Sequence, residues 1–150
     1  LPTQLYLSTN AADYESFMKI NKPRYDDSWE RWNRTLDMLK DLKTRTVLRI
    51  TLIRDHNDQK ESIPEFAEMF RKASPHFIEI KSYMHIGRST NRLEYENMLE
   101  MEEIKSFSEE IAKQSKIFSI MDESIVSRIS ILQNNERYID RYIPTYANTI

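Results

Sequence analysis

Three short segments carry side chains that could hold a polar ligand. Ser8 and Asn10 close the run TQLYLSTN, Arg49 and Thr51 sit within TRTVLRITLI, and Glu79, Lys81 and Tyr83 alternate with Ile78 and Ile80 in HFIEIKSYM. Hydroxyl and amide groups suit a ribose or an amino-acid moiety, while Arg and Lys suit carboxylate or phosphate. After the third segment come the only glycine of the chain, Gly87, and a basic, hydroxyl-rich loop with Arg88, Asn91 and Arg92. Two readings stand side by side. The polar faces converge on a cavity, or Arg49, Glu79 and Lys81 form a buried ion network with no ligand, since paired buried charges are tolerated. For Arg88 and Arg92, spacing alone fits a solvated loop.

The rest of the composition closes off other chemistries. There is no cysteine, which removes disulfides, thiolate metal sites and cysteine nucleophiles from this chain. His56, His76 and His85 are scattered without metal-ligand spacing, so no metal site is expected. One glycine cannot write a phosphate-binding G-x-x-x-x-G-K or G-x-G-x-x-G loop. A net charge of −2 leaves any nucleic-acid contact to a local patch. No apolar run approaches the roughly 20 residues of a membrane span, and LPTQLYLS shows no secretory signal.

The elements that would position these residues alternate in type. TQLYLSTN reads as a first strand, with Leu5 and Leu7 on one face and Gln4, Tyr6, Ser8 and Asn10 on the other. A short helix over 13–20 stops before Pro23. The next helix is capped by Asp27 with Glu30 and buries Trp29, Trp32, Leu36, Leu39 and Leu42. TRTVLRITLI is a β-branched second strand with Leu48, Ile50 and Leu52 on one face and Val47, Arg49, Thr51 and Ile53 on the other. Ser62 with Glu65 caps a third helix, with Pro64 in its first turn. HFIEIKSYM is the third strand, and a fourth helix runs over 100–115. IFSIMDES and IVSRISILQNN read as a closing strand and its neighbour, joined near 122–124; the aromatic tail over 136–150 stays unassigned.

Strand–helix alternation predicts a mostly parallel α/β sheet with crossover helices, folded as a single unit over 1–150. Buried parallel strands are apolar on both faces, yet each strand here has a polar face. An open or partial barrel with a polar cavity at the carboxyl ends of its strands accounts for that.

The segments PTQLYLSTNA, KINKPRYDDSWERWNRTLDML, KTRTVLRITLI, FIEIKSYMHIGRSTNRLEYENM and DESIVSRISILQN closely resemble the carboxyl-terminal half of the radical-SAM enzymes of wybutosine biosynthesis, the tRNA 4-demethylwyosine synthases. The resemblance implies a partial (β/α) TIM-like barrel with helices outside. It also implies S-adenosylmethionine and 4Fe-4S clusters as cofactors, the latter on cysteines of a missing amino-terminal half. The implied reaction is a lyase chemistry that condenses carbons of pyruvate with N1-methylguanosine beside the anticodon of tRNA-Phe, in the cytoplasm, with neither DNA nor membrane involved. A fragment lacking the clusters is expected to be inactive alone.

Residue by residue, the resemblance places Ser8, Asn10, Arg49, Thr51 and Asn57 near the cofactor. It places Lys81 at an anion, either the pyruvate carboxylate or a tRNA phosphate, and makes it the one catalytic candidate. Tyr83, Arg88, Asn91 and Arg92 fall at the tRNA. The family commonly has Asp where this chain has Asn10, and a glycine near Arg54–His56. The alternatives are another radical-SAM enzyme with a different substrate, or a cysteine-free module that binds tRNA or a partner without catalysis.

Overall fold

Alternation of apolar and polar side chains gives the central sheet two unlike faces. In the computed structural model, which describes residues 2–143, the strands are β1 (Gln4–Ser8), β2 (Arg45–Leu52), β3 (Phe77–Ser82), β4 (Phe118–Ser124) and β5 (Ile129–Asn134). The helices are α1 (Tyr14–Asn21), α2 (Ser28–Leu39), α3 (Ile63–Ala73) and α4 (Met101–Ser115). Leu48, Ile50, Leu52, Ile78, Ile80 and Leu132 point to one face. There they form a single core with Leu36 and Leu39 of α2, Phe66 and Phe70 of α3, and Ile104, Phe107 and Ile111 of α4. Each fully buried aliphatic or aromatic side chain in that layer contributes about 1.5–3 kcal/mol.

The sheet order is β1-β2-β3-β5-β4. β1, β2 and β3 pair in parallel, as expected of strands joined by helical crossovers. The last two strands depart from the expected parallel continuation. β5 is antiparallel to both β3 and β4 and lies between them, so the sheet is mixed and the barrel is not closed. The reason is local: β4 and β5 are separated only by residues 125–128. A connection that short can form only a hairpin, because a parallel pair needs a crossover of a dozen or more residues. β4 therefore runs parallel to β3 but one place further out.

Three boundary expectations are also corrected. The hairpin turns at 125–128 rather than near 122–124, so Ile125 and Val126 are turn residues. Asp27 precedes α2 but makes no side-chain cap; its carboxylate takes Arg31 Nε at 2.8 Å instead. Ser62 likewise makes no cap, its hydroxyl donating to the Gln59 carbonyl. Elsewhere the helix starts follow the expected chemistry. Asp13 accepts from the Ser16 amide at 2.9 Å, and Glu100 with Glu103 forms a capping box that opens α4.

Of the aromatic tail, residues 136–143 cross the amino-terminal end of the strands; 144–150 lie outside the described residues. Arg137 donates to the carbonyls of Leu39 (2.9 Å), Ser74 (2.8 Å) and Leu42, where α2 and α3 end. Arg45, at the start of β2, donates to the carbonyls of Asp140, Arg141 and Tyr142 and lies over the Phe77 ring. Nearby, His76 is buried with its Nδ1 accepting the Thr46 amide at 3.1 Å, which puts the ring proton on Nε2. Burial, with Arg137 and Arg45 close by, pushes its pKa down to about 4.

Candidate functional site at the open sheet face

The face opposite the helices carries the residues singled out by type. Register partners on neighbouring strands share a face, so they form ranks across the sheet. Ser8, Arg49, Glu79 and Ile131 make one rank; Thr51, Lys81 and Ile129 make the next, nearer the carboxyl ends of β2 and β3. The polar wall expected from the alternation is therefore present. Ile129 and Ile131 of β5 flank it with apolar side chains, although in sequence they read simply as part of another β-branched run.

The Arg49–Glu79–Lys81 ion network is not formed. Arg49 Nε and Nη2 donate to Ser8 Oγ at 3.3 and 3.0 Å, and its guanidinium lies 5.7 Å from the centre of the Tyr6 ring. Burial and the neighbouring Glu79 carboxylate hold the Tyr6 phenol above its ordinary pKa. Tyr6 was not singled out as a site residue, although its alternation with Leu5 and Leu7 places it beside Ser8. Lys81 is half-buried and makes no hydrogen bond or ion pair among the described residues.

Beyond the ends of the strands, side chains extend the ladder. Asn10 Oδ1 accepts the Thr51 amide at 3.0 Å, as the next residue of a longer β1 would. Asn57 is buried and its amide is fully used. Nδ2 donates to the carbonyls of Asn10 and Thr51, both at 3.0 Å, and Oδ1 accepts the Ile53 amide at 2.7 Å. It thereby fixes the rim of the site rather than offering a free donor. The donor groups left without a partner among the described residues are Asn10 Nδ2 and the Thr51 hydroxyl, with the Ser8 hydroxyl proton also available.

The loop after β3 is a scaffolded rim. Arg54 donates to the Glu96 and Met98 carbonyls, both at 2.9 Å, and makes a bidentate pair with Glu103 at 2.5 and 2.7 Å. That pair holds the Glu103 carboxyl below its usual range. Tyr83 is buried, its hydroxyl 3.1 Å from His85 Nδ1, and His85 in turn meets the exposed Tyr95 edge-on at 6.2 Å. Gly87 adopts φ +63°, a left-handed conformation with open space around it, and starts the turn that carries Arg88 and Asn91. Arg88, Asn91 and Arg92 are all exposed, and neither arginine forms an ion pair among the described residues. The structure brings Ser8, Asn10, Arg49, Thr51 and Lys81 to one wall. Arg88, Asn91 and Arg92 are on a separate loop at its carboxyl end, and Tyr83 stands between.

Residues 72–134, which span β3, the rim loop, α4 and the hairpin, match the family model described as wyosine base formation. Over 136 residues the chain is 40% identical to the S-adenosyl-L-methionine-dependent tRNA 4-demethylwyosine synthase of Pyrococcus abyssi, covering 91% of this chain and 39% of that protein. With the synthase of Methanocaldococcus jannaschii it shares 43% identity over 141 residues, covering 93% and 43%. A solved structure of TYW1 with a lysine–pyruvate adduct bound superposes with a TM-score of 0.82 at 41% identity, over 92% of this chain and 43% of that one.

The chain belongs to the tRNA 4-demethylwyosine synthase family.

A crystal structure of archaeal TYW1 matches with a TM-score of 0.73 at 37% identity, covering 92% of this chain and 42% of that one. The chain spans about two-fifths of the length of these synthases. The open sheet face and the rim thus lie within a region that the 4-demethylwyosine synthases share. Among the described residues no helix is long and apolar enough to cross a membrane, and no group of His, Asp or Glu is placed to hold a metal.

Proposed function

We propose that this chain is the carboxyl-terminal part of a radical-SAM 4-demethylwyosine synthase. Its open face forms one wall of the reaction chamber, and its 83–99 loop forms part of the tRNA-facing rim. The observation that carries the reading is Lys81, a half-buried cation that has no carboxylate partner among the described residues, on a sheet face that no described helix covers. A cation in that position is stabilised by an anion from elsewhere, and a pyruvate carboxylate or an RNA phosphate supplies one.

The donors around Asn10 suit S-adenosylmethionine. The amide of Asn10 and the hydroxyls of Thr51 and Ser8 face one another across β1 and β2, where ribose oxygens could accept from them. Bound with its iron–sulfur cluster, that cofactor supplies radical initiation; this cysteine-free chain offers the cluster no thiolate. The work of these residues is binding and orientation. Asn57 keeps the ends of β1 and β2 in register, Arg49 is held against Ser8 and Tyr6, and Lys81 meets the small anionic substrate. Arg88, Asn91 and Arg92 meet the tRNA backbone, with Tyr83 and His85 behind them. Since a base must leave its stack to be modified, a cationic rim over a recessed wall suits that substrate.

The test uses the full-length synthase with both clusters, pyruvate and tRNA bearing N1-methylguanosine. Lys81→Ala is expected to lower tricyclic-base formation about 10²-fold or more while the melting temperature holds. Mass mapping after borohydride reduction with pyruvate would show whether Lys81 or another lysine is the one trapped. Undiminished product formation and tRNA affinity in Lys81→Ala would remove the role given to Lys81. Turnover of pyruvate with a different acceptor, and none with this tRNA, would move the chain to another radical-SAM activity.

A further inference from the structure

The hairpin between β4 and β5 breaks the usual chemistry of turns. Its tip, at 125–128, reads Ile-Val-Ser-Arg, where Gly, Asn and Asp are the favoured residues. Ile125 is 70% exposed and Val126 92% exposed, so neither side chain is there to pack against the core. Arg128 takes φ +50°, a conformation few side chains adopt. Departures of this kind concentrate at functional positions.

The tip is also firmly mounted. The Arg128 carbonyl accepts the Ser82 amide at 3.0 Å, and the Arg128 amide donates to the Ile125 carbonyl at 3.1 Å. The Arg128 guanidinium donates to the Leu99 carbonyl at 2.9 Å and pairs with Glu100 at 3.2 Å. Because β4 runs parallel to β1, β2 and β3, the turn emerges at their carboxyl ends, the end that carries Lys81 and the loop with Arg88 and Arg92. Lys105, 3.6 Å from Glu123, offsets the negative charge just before the tip.

We propose that Ile125 and Val126 form a fixed apolar wedge that packs against unstacked bases of the RNA loop being modified. The inference rests on the tRNA reading above and adds the group that takes the place of a base drawn from its stack. Apolar side chains that enter a base step are a recurrent way to stabilise unstacked nucleic acid. Arg88 and Arg92, on the same rim and without an ion pair among the described residues, favour a phosphate-bearing partner. Two aliphatic side chains flanked by Ser124 and Ser127 are far smaller than the roughly 800 Å² that each side of a stable protein interface buries.

The experiment takes the full-length synthase and its tRNA carrying 2-aminopurine beside the target guanosine. The wild type is expected to raise the 2-aminopurine fluorescence on binding. Ile125→Ser with Val126→Ser should weaken tRNA binding about tenfold or more and remove most of that rise. Its melting temperature and S-adenosylmethionine affinity should stay unchanged, and Ile125→Leu with Val126→Leu should restore both RNA readouts. Equal affinity and equal fluorescence in the serine variant overturn the wedge. So does a serine variant that turns a dimer into a monomer while tRNA affinity holds, since the tip would then belong to self-association. If Arg88→Ser with Arg92→Ser weakens binding while the tip variant does not, only the wedge falls. If the wild type binds no tRNA, the reading beneath it falls as well.

Discussion

At the amino-terminal end of the strands, Arg45 and Arg137 are each enclosed by three backbone carbonyls. At the carboxyl end, Lys81, Arg88 and Arg92 have no acidic partner among the described residues. The same charge thus does opposite work at the two ends. Below, guanidinium groups neutralise the carbonyl ends of α2 and α3 and tie residues 136–143 across the bottom of the sheet. Above, Arg54 and Arg128 are likewise held by carbonyls and by Glu103 and Glu100, whereas Lys81, Arg88 and Arg92 keep their capacity for a ligand. A cation whose donors are used up by its own backbone is a structural part; one without a partner beside an open sheet face is, on the function proposed above, a binding part.

That contrast can be broken in several places. The largest effect on stability is expected at the lower end. Arg137→Met should cost about 2–4 kcal/mol, seen as a lower urea midpoint, whereas Lys81→Ala should leave the midpoint where it is. If both variants unfold alike, the distinction between the two ends fails. Next comes Asn57, which carries three hydrogen bonds at the rim. Asn57→Ala is expected to lose about 2–3 kcal/mol of stability. A variant of unchanged stability and weakened S-adenosylmethionine binding would return Asn57 to direct cofactor contact.

A smaller effect follows from His76. Unfolded, its imidazole takes a proton near pH 6.5; folded, it resists protonation down to about 4. Stability from this site is therefore full above pH 6.5, falls as pH drops from 6.5 to 4, and changes no further below that. Urea midpoints across this window should fall by the equivalent of roughly 1–2 kcal/mol, and His76→Gln should flatten that slope. The smallest effect is electrostatic. Arg88→Ser with Arg92→Ser should weaken tRNA binding and reduce the slope of log affinity against log salt by roughly 1.4–2. A slope that does not move would place the phosphate contacts elsewhere.

The parallel half of the sheet was legible because its pattern is redundant. Leu48, Ile50, Leu52, Ile78 and Ile80 alternate strictly with polar residues, so strands, faces and the polar wall follow together. The two neighbouring strands of the hairpin were legible but the place of their turn was not, because Ile125 and Val126 look like strand residues and nothing in a β-branched run marks a turn. Antiparallel insertion of β5 was hidden for the same reason, since the length of the connection decides it. Among site residues, composition drew attention to Ser8, Arg49 and Lys81, and all three lie on the open face. The resemblance places Asn57 near the cofactor, but only geometry reveals that both of its amide hydrogens are spent on main chain. Tyr6 shares the face of Ser8 by alternation, but only the structure shows it beside Arg49 and Glu79.

The order β1-β2-β3-β5-β4 gives this sheet a finished side and an unfinished one. On the β4 side, the antiparallel β5 halts parallel propagation, a bulge between Ile120 and Asp122 disturbs the outer strand, and Arg141 bonds Asp122. Those features blunt an edge against further pairing. On the β1 side, Gln4–Ser8 presents a straight edge, with no strand beyond it among the described residues. Among the described residues, then, the sheet has one blunted edge, at β4, and one edge whose backbone groups remain open to pairing, at β1.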